Sequence, residues 1–406
     1  MSDEELFRQA VAMSRSLSRR RFLRNVGLGA GALAAGPAVL AACGDDSKSS
    51  SSETTTGSGG GKKLTISTWD AYIDVDESGD PKHAGGTIDN FSQKTGIAVD
   101  YKVDYNDNDE YFNKVFSPFL GKGKPIAADI VMPTYWMAAR ILGLDWIEAL
   151  PLDKIPNHAN LEDAYLDLAW DPGAKHHMPW QAGITGIGYN PELTGRELKS
   201  FSDLLDPKFK GKVGMLTEMR DTVGLAMLSQ GADPTKLDMA AANKALDLIE
   251  KAKADGQIRA FTGNEYLTSL ESGDFVACMA WSGDIVQLQK TKPGIKFVIP
   301  DEGGMEWFDT MIIPKGATNT NSAAAWMDYV YDPVNAAKIT SFVQYVSPVK
   351  GVRDELVKLG GESAQLADSP VLFPDAETQK RLNIFVDLPQ DDEAELQDRF
   401  NKITGA

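Results

Sequence analysis

The sequence predicts an α/β fold of two lobes, each a mainly parallel sheet flanked by helices. Three observations carry that reading. Short β-type runs alternate with helix-type runs along most of the chain, the order that lays helices over parallel strands. About 345 residues follow a polar linker, large for one core and comfortable for two lobes. Trp, Tyr and Asp also gather where strands end, and open α/β sheets bind ligands at the carboxyl ends of their strands.

Taken in order, residues 63–69 alternate through Leu64, Ile66 and Thr68, and a helical pattern over 87–94 stops at Gly96. Residues 97–103 alternate again. Asn108 then caps a helix running through Phe112, Val115 and Phe119. A short buried strand spans 129–133. Further strands are expected at 184–189, 213–216, 275–281, 297–299 and 310–313, with a strong helix over 239–253 among them. The last quarter reads as helix at 321–331, 333–343, 352–359, 374–382 and 390–402.

The first 42 residues read as an address. Arg19-Arg20-Arg21-Phe22-Leu23 puts paired arginines before an apolar run too short and too weak for a membrane span, the pattern of a twin-arginine signal. The run ends Leu40-Ala41-Ala42-Cys43, which resembles a bacterial lipobox with cleavage before Cys43 and acylation of its sulfur. Residues 43–62 are mostly Ser, Thr and Gly and cannot bury a core, so a disordered tether of roughly 25 Å is expected. The chain is therefore expected to be exported and lipid-anchored on the outer face of the cytoplasmic membrane. Its net charge is −17, and about −20 once the basic signal is gone, which disfavours nucleic acid as a partner. Cys278 lies in the apolar run Phe275-Val276-Ala277-Cys278-Met279-Ala280 and reads as a buried small hydrophobe with no disulfide partner.

Three times a Trp stands close to an Asp at an expected strand end: Trp69 with Asp70, Trp281 with Asp284, and Trp307 with Asp309. Tyr72, Thr134, Trp136, Glu218 and Asp221 occupy neighbouring ends. Indole and phenol faces suit methylene chains, at about 0.8 kcal/mol per buried CH₂. Carboxylates suit ammonium groups, each charged hydrogen bond contributing about 1.5–3 kcal/mol net, with cation–π attraction of about 0.5–2 kcal/mol besides. A linear polyamine presents both features. A sugar site would use the same walls but would add Asn, Gln, Arg or Lys, which are sparse at these ends. Paired carboxylates in a Trp-lined cleft also fit a glycoside hydrolase.

Several stretches, in order, resemble those of the bacterial spermidine/putrescine-binding proteins. They are Thr68-Trp69-Asp70-Ala71-Tyr72, Asp129-Ile130-Val131-Met132-Pro133, Gly186-Ile187-Gly188-Tyr189-Asn190, Trp281-Ser282-Gly283-Asp284, Pro300-Asp301-Glu302-Gly303-Gly304, Trp307-Phe308-Asp309 and Phe373-Pro374-Asp375-Ala376-Glu377-Thr378. The resemblance implies a periplasmic-binding-protein fold of type II, closing about two crossover segments near 182–186 and 307–309. It implies lobes at 63–183 with 309–332 and at 184–308 with 333–406. It also implies a polyamine ligand, ABC permease subunits as partners, a monomer, no cofactor and no catalysis. Trp69 and Tyr72 would wall the amine chain beside Asp70, with Thr134 and Trp136 nearby. Glu218, Asp221, Asp284 and above all Asp309 would hold ammonium groups, Trp281 and Trp307 would stack on methylenes, and Tyr345 would stand near the cleft. Two departures mark this chain: an insertion, 74–86, at the expected cleft mouth, and the absence near Phe385 of a glutamine found in spermidine binders.

Other motifs lead elsewhere. The acidic run 104–110 lacks the Gly and Glu that an EF-hand requires at its sixth and twelfth positions, and reads as a helix cap. His176-His177 has no third ligand at metal spacing and falls in an expected loop. No nucleophile stands beside a base, and no phosphate loop occurs.

Overall fold

A computed structural model describes residues 63–405. The signal segment 1–42, Cys43 and the tether 43–62 all lie outside the described residues.

In one half of the molecule strand Lys63–Thr68 runs parallel to Ala98–Val103 on one side and to Ile130–Val131 on the other. Helix Thr87–Thr95 makes the crossover between the first two, and Gly96 ends it in the left-handed region that a Cβ would strain. The other half repeats the plan. There Val213–Leu216 is parallel to Ile258–Thr262 and to Ala277–Trp281. Helices Met219–Ser229, Met239–Ala254 and Tyr266–Ser272 connect these strands.

Two longer strands, His177–Tyr189 and Gly304–Ile312, join the halves into one ten-stranded sheet. The chain crosses on the first and returns on the second, so they pair antiparallel, with Trp307 opposite Gly183 and Asp309 opposite Gln181. Each half is parallel as expected, while the pairings at the centre of the sheet are antiparallel because outward and return strands meet there. Both crossovers exceed their expected lengths. Trp307 and Asp309 consequently sit inside a strand and not at its end.

Buried side chains form two clusters. One draws on residues 64–182 and 307–367, the other on 187–305 and 385–403, and Trp281 packs against both. The segment 333–367 differs from the expected division. Ala336, Ile339, Val343, Val349, Val352 and Leu356 lie in the first cluster, not with the second lobe. The backbone explains why. Ala182 and Val346 exchange N–H···O bonds of 2.9 and 2.8 Å, and the Tyr331 hydroxyl donates to the Pro179 carbonyl at 2.6 Å. These bonds stitch the segment to the first half, leaving 385–403 to reach the second.

The crossover strands approach closely because Gly183 has no side chain; an added Cβ would lie 2.4 Å from Cζ2 of Trp307. Gly183→Ala is therefore expected to destabilise the fold by about 1–3 kcal/mol through overpacking. Urea unfolding measures this directly, and an unchanged midpoint would show that Trp307 does not rest on that glycine.

Candidate binding cleft

The first strand ends at Thr68, and Ala71 then takes a positive φ of 57°, a turn that costs a residue with a Cβ some strain. The turn holds Trp69 and Tyr72 on the cleft side. The Trp69 indole N–H donates to the Met132 carbonyl at 2.7 Å, and its ring tilts against Tyr105. The Tyr72 hydroxyl donates to Asp309 Oδ2 at 2.5 Å. Asp70 is exposed, with Oδ1 accepting from the Ala71 N–H.

Thr134 precedes helix Tyr135–Gly143 and forms an isolated bridge with Asp309. Its hydroxyl accepts from the Asn108 amide at 2.9 Å, and the Asn108 carbonyl oxygen accepts from the Tyr105 hydroxyl. Asn108 is thus buried and polar-bonded, while the capping role expected of it falls to Asp107, which accepts from the Glu110 N–H. Trp136, in the first turn of that helix, is also buried.

From the second half, Glu218 caps helix Met219–Ser229 by accepting from the Arg220 N–H, and Asp221 accepts from the Trp281 indole at 2.9 Å. Asp284 lies in the first turn of helix Ser282–Gln289 and takes three donors: Tyr345 at 2.8 Å, Tyr266 at 2.7 Å and Asn264 at 2.8 Å. Edge-to-face rings run from Trp281 to Trp307, Tyr345 and Tyr72, with centroids 5.4–6.2 Å apart.

All twelve residues singled out from the sequence, and Phe385, line one open cleft between the two halves, about 840 Å³ with the solvent at its mouth included. The insertion 74–86 contributes none of its lining, so the expected effect at the cleft mouth has no direct contact behind it. Asn108, Arg220, Asn264 and Glu306 line the cavity without having been singled out. Asn264 follows strand Ile258–Thr262, a strand the sequence reading passed over; the signal there was only an apolar run before a Gly-Asn turn.

Burial governs the electrostatics. It pushes the Asp309 carboxyl up to about 7, against the opposing pull of the Tyr72 hydroxyl. Burial likewise raises Asp221 to about 6, partly offset by the Trp281 indole N–H. Asp284 is raised by burial and held back by its three donors. Glu218 is pushed well up, first by burial and then by Asp221. Asp309 Oδ1 is buried with no hydrogen-bond partner among the described residues.

The motifs set aside find structural places. His177 opens the first crossover strand and does not lie in a loop. Its Nδ1 is 2.8 Å from Asp171 Oδ2 and its Nε2 is 3.1 Å from the Tyr165 carbonyl, while His176 Nδ1 meets Asp171 Oδ1. Cys278 is buried, and burial pushes its thiol up. Among the described residues no group of His, Cys, Asp and Glu is arranged to hold a metal, and no helix is long and apolar enough to cross a membrane.

The bacterial extracellular solute-binding proteins match this chain over residues 86–373. The chain belongs to that family. Its members bind solutes and are not enzymes, so the glycosidase alternative falls. Among relatives, the spermidine/putrescine-binding periplasmic protein 1 of Haemophilus influenzae is 25% identical over 316 residues, 78% of this chain and 81% of that protein. The putrescine-binding periplasmic protein PotF of Escherichia coli is 28% identical over 342 residues, 79% of this chain and 85% of that protein. In structure, a putative spermidine/putrescine ABC transporter from Listeria monocytogenes superposes with a TM-score of 0.72 at 24% identity, covering 84% of this chain and 99% of that one. That likeness bears on the fold, which is the two-lobed binding-protein fold.

The raised carboxyl of Asp309 makes the stability of this solute-binding protein depend on pH with a definite sign. The folded protein keeps that proton up to about pH 7, whereas the unfolded chain releases it near pH 4. The folded state therefore holds more protons in this window, and the group's contribution, full below pH 4, is lost as pH rises through 7. Three pH units correspond to about 4 kcal/mol. Asp309→Asn is expected to unfold at higher urea than the parent at pH 8 and to lose most of that advantage at pH 5. A variant less stable than the parent at pH 8 would mean the carboxylate is compensated within the protein.

Proposed function

We propose that this solute-binding protein captures a polyamine, putrescine or spermidine, for an ABC importer. The observation that carries the reading is Asp309, a buried carboxylate with one oxygen unpartnered by the described residues and rings close by. An unpaired buried charge is unfavourable unless a cation meets it. A protonated amine supplies that cation, and its methylenes suit Trp69, Tyr72, Trp281 and Trp307. In this reading Asp309 and Asp284 are the principal ammonium anchors, Asp221 and Glu218 serve the far end, and Asp70, Thr134, Trp136 and Tyr345 complete the wall. Two ammonium ends and four methylenes reach the roughly −8 kcal/mol of micromolar binding after association costs. The names of the relatives agree with a polyamine.

A sugar reading draws support from the amides in the wall. Those amides are already engaged, Asn108 with Thr134 and Asn264 with Asp284. A neutral ligand would also leave Asp309 without a counter-charge. Delivery to a permease at the membrane surface goes with the twin-arginine and lipobox patterns read in the sequence, with acylation at Cys43 ahead of the Ser-, Thr- and Gly-rich stretch, the protein acting as a monomer on the outer face of the cytoplasmic membrane.

A thermal-shift panel of putrescine, cadaverine, spermidine, spermine, sugars and basic amino acids tests the reading, since a saturating ligand stabilises by several kcal/mol. Selective stabilisation by polyamines is expected; selective stabilisation by a sugar would overturn it. By calorimetry, Asp309→Asn is expected to weaken polyamine binding by about 3 kcal/mol, roughly a hundredfold, because it removes one partner of a buried ion pair. Unchanged affinity would remove Asp309 from the site.

A further inference from the structure

Arg220 is out of place by its own helix. It lies in the first turn of Met219–Ser229, where the exposed N–H groups and the helix dipole favour anions. It is nevertheless 5% exposed. Two partners outweigh the unfavourable dipole. Its Nη2 donates to Glu393 Oε1 at 2.5 Å, from the first turn of the C-terminal helix Gln390–Thr404. Its guanidinium carbon lies 3.8 Å from the ring centroid of Trp136.

These partners belong to different halves of the molecule. Met219 and Val223 beside Arg220, and Leu396 beside Glu393, belong to the second buried cluster. Trp136, with Met137 and Ala138, belongs to the first. Glu393 thus steadies the guanidinium from its own lobe, and Trp136 receives it from the other. A second cross-lobe bond lies alongside, from the Tyr135 hydroxyl to the Phe385 carbonyl at 3.3 Å. The remaining charged groups that sense the guanidinium are Glu218, Asp221, Asp109 and Asp387, all acidic. None competes with it for the indole.

We propose that Arg220 is a positioning residue that clamps the lobes by seating its guanidinium on Trp136, setting how long a solute is held and not which solute is chosen. One face of Trp136 is taken by that seat, so the indole serves the clamp before it serves a ligand. A contact between protein groups biases the closed arrangement for every ligand equally, because apparent affinity scales with the fraction of molecules in the binding-competent state. A residue touching the ligand would instead affect each amine according to its length and charge.

The test uses Arg220→Met, Arg220→Lys, Trp136→Leu and the Arg220→Met/Trp136→Leu pair, each first shown to unfold cooperatively. Arg220→Met is expected to speed dissociation of putrescine and cadaverine, two dications, by the same factor, about three- to thirtyfold, the range of a desolvated cation–π contact. Arg220→Lys, which keeps the charge but not the plane, recovers part of the loss. In the Trp136→Leu background, which lacks the seat, adding Arg220→Met speeds dissociation no further. Small-angle scattering of the ligand-free protein is expected to give a larger radius of gyration for Arg220→Met than for the parent. Loss confined to one amine, additive losses in the double variant, or an unchanged radius would overturn the clamp. The scattering arm involves no ligand. A parent protein that binds no polyamine therefore overturns the functional reading, and scattering alone then decides the clamp.

Discussion

A carboxylate buried where two antiparallel strands cross imposes the main physical constraint on this molecule. Asp309 stands on the return strand opposite Gln181 of the outward strand, so its position is set by the register that joins the lobes. The Tyr72 hydroxyl donates to one of its oxygens, the Thr134 hydroxyl also favours its charged form, and Oδ1 has no hydrogen-bond partner among the described residues. Desolvation penalises the charge by several kcal/mol unless a cation arrives. The fold thus carries a local instability at its centre, which a bound cation would relieve. Pre-organised dissatisfaction of this kind is how a site gains selectivity for charge without spending stability elsewhere.

The aromatic chain around Asp309 follows from the same geometry. Gly183 leaves room for Trp307, Trp307 meets Trp281 and Tyr345 edge-on, and Tyr345 joins Tyr72. Edge-to-face contacts fix each ring against the next. Asp284, by contrast, takes three protein donors and is the better satisfied carboxylate. The two acids differ: Asp284 has both oxygens met by protein donors, and Asp309 leaves Oδ1 without a partner among the described residues.

Much of this was legible in the sequence because α/β strands deliver their terminal residues to one place. Trp69, Asp70, Tyr72, Trp281 and Asp284 end or follow strands whose apolar pattern is plain, and the fold gathers them round one cavity. Trp307 and Asp309 were singled out by their composition while their setting was misjudged. Mid-strand placement depends on pairing with a strand more than a hundred residues away, which local pattern does not encode. The same long-range bonding, Ala182 to Val346, draws 333–367 into the first cluster. Arg220 was hidden for a different reason. A cation in a helix's first turn looks like an ordinary solvated residue until its partners, Trp136 and Glu393, are brought together by the tertiary fold.

If Asp309 awaits a cation, binding must change its ionisation. The free carboxyl, raised to about 7, is largely protonated at pH 6.5, and an ammonium held against it forces the proton off. Titrating the protein with putrescine at pH 6.5 in buffers of different ionisation enthalpy counts those protons. Release of about one proton per ligand is the result expected from this linkage. Binding with no proton exchange, or with uptake, would contradict the claim that Asp309 is the anchor.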